Sequence, residues 1–485
     1  MNEDIRTLEP KALWNNFADL NAVPRGSKKE ERVIAFMVDF GKKLGLETII
    51  DPIQNVIIKK PATTGMENRK TIVLQSHLDM VHQKNEDTNF DFDKEGIKMI
   101  IDGDWVKADG TTLGADNGLG VAAIMSILAS NEIVHPDLEA LFTIDEETGM
   151  TGAKGLQGGY LNGEILLNLD TEEDEELDIG CAGGIDVTAT KKYEEEVLDS
   201  NYKGFNISVK GLRGGHSGMD IHRGFGNANK IMNEILDKTQ DFINIAEIKG
   251  GSLRNAIPRE SFATVVCDTG KAGKFIAKAE EIAHKIKKEF KEVETNLEFN
   301  FNAENCPNKV MSKTEQTKLI NAIKNGHNGV FKMSEDMEDL VEASNNIAKV
   351  NVKDGNIQID CLTRSSAEDS KMDVANQLKG AFENEGFTVE FSGSYPGWQP
   401  NPDSPILGVM ENLYENIFDK KANVVACHAG LECGILGTNY PDMDMISFGP
   451  TIKGAHSPDE RANIPSTQKF WIYLLEILKN IPEKA

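Results

Sequence analysis

The chain has 485 residues, which at roughly 100–200 residues per domain implies more than one domain. Its 52 Lys and Arg against 78 Asp and Glu leave a formal net charge of −26, a field that repels phosphate backbones and anionic lipid and so argues against nucleic-acid and membrane partners. A content of 39% hydrophobic and 27% charged residues is that of a globular chain able to bury a large core.

Residues 10–45 read as two helices, and 46–60 as strands turning at Asp51-Pro52. The apolar run 71–76 reads as a buried strand, 118–130 as a buried helix, and 138–144 and 165–169 as further strands. Strands alternating with helices predict an α/β sheet. The character changes after Gly180-Cys181-Ala182-Gly183-Gly184. A strand (205–212), a helix (226–240), two strands (243–248 and 260–268), a helix (272–290) and a strand (295–302) come next, which is the ferredoxin-like order βαββαβ. From 314 to 394 the order is similar but incomplete: helix, strands 340–351 and 355–363, helix 370–386, strand 387–393. A Pro-rich connector at 395–405 leads to a helix at 405–418 and a last α/β segment closing with 470–478. The fold class is therefore α/β. A discontinuous catalytic domain (1–184 and 400–485) carries an inserted α+β lid domain of two ferredoxin-like halves (185–399). The opening residues Met1-Asn2-Glu3-Asp4-Ile5-Arg6 have no basic or apolar leader region, and no run of about 18 apolar residues occurs, so a cytoplasmic protein is expected. The six scattered cysteines imply neither a disulfide framework nor a CxxC zinc module.

Acidic and histidine motifs sit where strands should end: Ser76-His77-Leu78-Asp79, Gly114-Ala115-Asp116-Asn117-Gly118, Asp145-Glu146-Glu147-Thr148-Gly149 and Asn168-Leu169-Asp170-Thr171. A fifth, Gly454-Ala455-His456-Ser457-Pro458-Asp459-Glu460, lies far downstream. Open α/β sheets bind ligands at the carboxyl ends of their strands, where such loops converge. Two histidines with several carboxylates suit zinc, cobalt or manganese, and one carboxylate can bridge two ions about 3.5–4 Å apart. The adjacent pair Glu146-Glu147 fits a division between a metal ligand and a general base for water. His77-Leu78-Asp79 offers a ligand with a carboxylate that orients its imidazole. Any one of these residues alone is more often a solvated or hydrogen-bonded structural group, so the five motifs in one order carry the reading. The acidic run 172–176 is expected to be a solvated face, and His135, His284 and His327 to lie on the surface.

That order resembles the dizinc metallopeptidase family of carnosinases, aminoacylases and bacterial aminotripeptidases. The strings Leu74-Gln-Ser-His-Leu-Asp-Met-Val81, Thr112-Leu-Gly-Ala-Asp-Asn-Gly118, Asp145-Glu-Glu-Thr-Gly-Met-Thr-Gly152, Gly211-Leu-Arg-Gly-Gly-His-Ser-Gly218, His428-Ala-Gly-Leu-Glu-Cys-Gly434 and Gly449-Pro-Thr-Ile-Lys-Gly-Ala-His-Ser-Pro458 carry it, over essentially the whole chain. The Thr112–Gly118 and His428–Gly434 strings are narrower than the family and point to its dipeptidase branch. The resemblance implies two divalent ions, zinc foremost. His77, Asp116 and Asp170 would hold one, and Asp116, Glu147 and His456 the other, with Asp116 bridging. Glu146 would be the general base and acid, and Asp79 would orient His77. The bond between Asp116 and Asn117 would be cis, and His216 would stabilise the carbonyl oxygen in the transition state. A dipeptide's free carboxylate needs a cationic fork. Arg364, in Cys361-Leu-Thr-Arg-Ser-Ser366, is the candidate, with Asn255 as second donor; relatives place an Arg and an Asn of this domain on the carboxylate. His428 has no assigned role.

The implied function is hydrolysis of unblocked dipeptides, Xaa-His among them and β-alanyl-histidine included, with the two domains closing on the substrate. The rivals are a deacylase of N-acyl amino acids on the same dimetal core, and a metal-free binding protein, which the intact ligand set disfavours. A homodimer through the lid domain is expected.

Overall fold

The computed structural model describes residues 2–198, 201–335 and 337–484. It divides into two compact units: Met1–Gly180 with Pro400–Ala426 and Leu431–Ala485, and Cys181–Gln399 with Cys427–Gly430. Among the described residues, no helix is long and apolar enough to cross a membrane.

The first unit is built on an eight-stranded sheet. From edge to edge its strands are Glu47–Ile50, Val56–Lys60, Leu138–Thr143, Ile72–His77, Ile165–Asn168, Asp444–Ser447, Glu176–Cys181 and Asn423–Cys427. The four central strands, Leu138–Thr143 to Asp444–Ser447, run parallel. Every residue of Ile72–His77, Leu138–Thr143 and Ile165–Asn168 is buried. Within them Ile72–Leu74, Ala140–Phe142 and Ile165–Leu167 read as apolar runs without alternation, as strands covered on both faces do. The helix Ala115–Ala129 is apolar on nearly all sides and buried, because it lies within the core instead of over it. Parallel strands end on the same side, so the loops after His77, Thr143 and Asn168 emerge together. The closing helix Ile464–Lys479 is started by Asn463, whose side chain accepts the Ser466 N–H at 2.9 Å, with Pro465 in the first turn.

The second unit is built on a nine-stranded antiparallel sheet made of two equivalent four-stranded halves, with Gly329–Met333 as a ninth strand beside Val341–Lys353. The first half runs strand Tyr202–Lys210, helix Ala228–Thr239, strands Ile243–Gly250 and Ser261–Asp268, helix Ala272–Glu289, strand Glu298–Glu304. Taken in sequence order within the half, its strands lie fourth, first, third, second across the sheet. The second half repeats that order with Gly183–Lys192 as its first strand, then helix Lys313–Asn325, strands Val341–Lys353 and Asn356–Ser365, helix Glu368–Glu383 and strand Thr388–Tyr395. The strand absent from the sequence-based order is thus Gly183–Lys192, with the first half inserted after it. The halves join through Ile248↔Val352, Lys249↔Asn351 and Gly250↔Val350. Ile235, Phe275, Ile323 and Phe382, one from each helix, bury into a common core with Val187, Ile207, Val265, Ile347 and Ile359 of the sheet.

Candidate active site

Four of the five motifs of the first unit are delivered by a strand end or a helix start, and the fifth places His456 in the turn between Ile452–Lys453 and Arg461–Asn463. His77 is the last residue of its strand, Glu146 and Glu147 open a single helical turn after Leu138–Thr143, and Asp170 comes just after Ile165–Asn168. Asp116 stands at the start of Ala115–Ala129, where Asp116 and Asn117 leave helical torsions and the bond between them is cis. Gly114 precedes them at φ +70, where a Cβ would come within 2.5 Å of Arg25 Nη2. A glycine is required there both for its torsion and for that approach.

These residues converge. His77 Nε2 lies 3.1 Å from Asp116 Oδ1 and 3.5 Å from Asp170 Oδ1. His456 Nε2 lies 3.1 Å from Asp116 Oδ2 and 2.9 Å from Glu147 Oε2. Three donor groups of metal-ligating size result: His77, Asp116 and Asp170; Asp116, Glu147 and His456; and His77, Glu146 and Glu147. Asp116 belongs to two of them, one carboxylate oxygen turned to each histidine. The donor set fits cations. Four carboxylates crowd two imidazoles, and Glu147 Oε1 is buried with no hydrogen-bond partner among the described residues. The crowding shows in the proton affinities. Asp116 and Glu147 hold His456 up at about 11. Burial drives Glu146 well above the ordinary carboxylate range; His77 opposes this, and Asp170, Glu432 and Glu147 add to it.

The supports around these donors are as well defined as the donors. Asp79, fully buried, has Oδ1 3.3 Å from His77 Nδ1 and accepts Ser27 Oγ at 2.8 Å. It also accepts the backbone N–H groups of Glu146 (3.0 Å) and Glu147 (3.2 Å), so one carboxylate orients the histidine and both glutamates. Against the upward push of burial, these donors hold Asp79 below its ordinary pKa. Arg25, buried, donates to the carbonyls of Leu78 (3.1 Å), Asp79 (2.9 Å) and Gly114 (2.5 Å), clamping two motif loops together. Glu460 accepts the N–H groups of Leu113 (2.7 Å), Gly114 (2.9 Å), Ala115 (2.7 Å) and Asp116 (3.3 Å), and so holds the loop that presents Asp116. Glu432 accepts from Gln75 and Thr143, each at 2.7 Å, and burial pushes it up to about 7.

The second unit gathers the other residues singled out by sequence. His216 lies on the short strand Gly215–His216, paired with Ala256–Ile257, and Asn255 stands exposed just before that partner strand. His216 Nδ1 accepts the N–H groups of Gly218 (3.2 Å) and Met219 (3.1 Å), so the ring proton of the neutral imidazole is on Nε2. Arg364 Nη2 lies 3.5 Å from that Nε2, so two donors face the same space, an arrangement suited to an anionic oxygen. His428 Nε2 lies 2.8 Å from the hydroxyl of Ser344, the cross-strand neighbour of Arg364.

Two expectations need correction. The run 172–176 is not a uniformly solvated face. Glu173, Asp174 and Glu175 pair with Lys453, Lys469 and Lys420, while Glu172 is half-buried and pushed up to about 8, by burial first and then by Asp116 and Asp170. Its apolar neighbours in the sequence are too few to signal this. His135 is fully buried, with Nδ1 2.7 Å from the Pro136 carbonyl, and His327 is half-buried with its ring edge-on to Phe331; only His284 is exposed.

The chain matches the sequence profile of peptidase family M20/M25/M40 over residues 73–480. It is 43% identical to the cytosol non-specific dipeptidase of Escherichia coli (strain K12) over 486 residues, spanning 99% of this chain and 100% of that one. Its structure is similar to that of the aminoacylhistidine dipeptidase from Vibrio alginolyticus, with a TM-score of 0.92 at 44% identity over 100% of both chains. A tripeptidase from Staphylococcus aureus shares the fold at 16% identity, with a TM-score of 0.57 over 98% of this chain and 99% of that one. By a profile match over most of its length and a full-length relative at that identity, the chain belongs to peptidase family M20/M25/M40.

Proposed function

We propose that the protein is a two-metal dipeptidase acting on unblocked dipeptides, Xaa-His substrates and β-alanyl-histidine among them, in the cytosol. The observation that carries this reading is Asp116, whose two carboxylate oxygens face two different histidines at 3.1 Å each. A carboxylate so placed would be shared by two cations, which His77 and Asp170 would hold on one side and Glu147 and His456 on the other. Zinc is the metal we assign, with cobalt or manganese as substitutes. When bound, the two ions supply Lewis acidity towards the scissile carbonyl and lower the pKa of water.

The protein's own groups account for the rest. Glu146 takes the proton of the attacking water on its carboxylate and returns it to the leaving nitrogen. Asp79 keeps the imidazole of His77 and the backbone of both glutamates in register. The Nε2–H of His216 donates to the carbonyl oxygen as charge develops there. Arg364, with Asn255, holds the substrate's carboxylate.

A panel of dipeptides, tripeptides and N-acetyl amino acids tests the reading on metal-loaded protein. Dipeptides should be turned over, and the other two classes poorly or not at all. Hydrolysis of N-acetyl amino acids without turnover of dipeptides would make the protein a deacylase.

A further inference from the structure

We propose that Tyr395 is a positioning residue that aims Arg364 at the substrate carboxylate and so sets the preference for a free carboxyl terminus. The inference rests on the assignment of Arg364 as the carboxylate clamp. Arg364 is only 5% exposed, and its guanidinium has few partners. Nη1 donates to Tyr395 Oη at 3.0 Å. Nη2 faces the donor Nε2 of His216, and Nε is buried with no partner among the described residues.

The chemistry of the partner matters. A carboxylate beside Arg364 would fix the guanidinium but also neutralise it, leaving little charge for a ligand. A phenol accepts the same hydrogen bond and stays uncharged, and burial raises the Tyr395 pKa further above its ordinary value. The guanidinium is thereby oriented while its charge remains available to an incoming anion.

The register explains how the contact is built. Gly184 is the cross-strand neighbour of Arg364 on one side and of Tyr395 on the other, so the three residues form one row across adjacent strands. Residues in such a row project from the same face. Between two long side chains stands a glycine, and a Cβ there would lie 2.7 Å from Tyr395 Cε1 and 2.8 Å from Cζ and Oη. The missing side chain is what lets Arg364 and Tyr395 meet. Tyr395 is anchored in turn by Lys371, 1% exposed, whose Nζ donates to the Tyr395 carbonyl at 2.8 Å and lies 2.8 Å from Glu368.

The test is Tyr395→Phe, which keeps the ring against Gly184 and removes the phenolic oxygen. Metal-loaded wild type, Tyr395→Phe, Arg364→Ala and the double variant are assayed with one dipeptide and its C-terminal amide. The acid-over-amide ratio of kcat/KM in Tyr395→Phe should fall roughly ten-fold, the scale of one hydrogen bond to a charged group, through a higher KM for the acid. Arg364→Ala should abolish the preference, and the double variant should lose nothing more. If Arg364→Ala abolishes it while Tyr395→Phe keeps the wild-type ratio, or slows both substrates equally, the positioning role is overturned and the clamp stands. If Arg364→Ala keeps the preference, the clamp itself is wrong and the positioning role falls with it.

Discussion

Replacing Asp79 with Asn removes a charge at nearly constant shape, and the surrounding hydrogen bonds determine the cost. Oδ1 lies 3.3 Å from His77 Nδ1 and accepts the Glu146 N–H at 3.0 Å. Oδ2 accepts Ser27 Oγ at 2.8 Å and the Glu147 N–H at 3.2 Å. An amide has one oxygen, so one side of this arrangement must meet an NH2 group. The less damaging rotamer turns the NH2 to Ser27, whose hydroxyl can reverse and accept, and leaves the Glu147 N–H facing a donor. With the site 0% exposed, that unsatisfied donor costs about 1–3 kcal/mol of stability. The imidazole of His77 also loses the carboxylate that raises its basicity, and partners of this kind are worth about 10–100-fold in metal affinity. Competition with a chromogenic chelator should therefore report zinc binding weakened about 10–100-fold, alongside a lower melting temperature. Wild-type zinc affinity in Asp79→Asn would refute the view that this carboxylate organises the site.

The neighbouring glutamates should separate by phenotype: Glu146→Gln should lose at least about 100-fold in kcat with metal content near wild type, whereas Glu147→Gln should lose metal first, and the reverse pattern would exchange their roles. Exhaustive chelation should abolish dipeptide hydrolysis and added zinc, cobalt or manganese restore it; activity persisting after verified metal removal would contradict the two-metal reading. His428 supplies a pH dependence. It is 7% exposed and its pKa is pushed down to about 3, by burial first and then by Arg364 and His216. From about pH 6.5 down to 5 the unfolded chain binds a proton that the folded chain refuses, so this group's contribution falls by about 2 kcal/mol. Denaturant unfolding at pH 7.5 and pH 5 should show a smaller loss in His428→Gln than in wild type, and an equal loss would show that His428 is not held neutral.

Legibility in the chain alone depends on the range of the interactions. His77, Asp116, Glu146, Glu147 and Asp170 sit in short strings at strand ends, and a buried strand announces itself by an apolar run. The supports are another matter. Arg25 reaches Gly114 across 89 residues, and nothing local distinguishes it from a surface charge; Glu432 stands inside the His428–Gly434 string, but its reach to Gln75 across 357 residues is not visible there. Glu460 stands inside a motif string, but its bonds to four successive N–H groups near Asp116 depend on tertiary placement. The strand Gly183–Lys192 is hard to read because its partners, Asn356–Ser365 and Thr388–Tyr395, come only after the whole first half. His135 resembles a surface residue in sequence because its burial comes from long-range packing, as its exchange of bonds with Thr63 shows.

The nesting of one half of the second unit inside the other has a consequence for biosynthesis. On a growing chain, the first half can complete the ladders among its own four strands once Glu304 has emerged, with only the Ile243–Gly250 edge left to meet the second half. Gly183–Lys192 has been waiting since before that module began, with both ladder edges open until Ser365 and then Tyr395 are made. An open strand is a template for wrong pairing, so the inner module matures first and the outer one carries the exposure. Ribosome-stalled chains ending after Glu304 should accordingly be cut by protease within 183–192 and resist cleavage within 202–304. Chains stalled beyond Tyr395 should be protected in both.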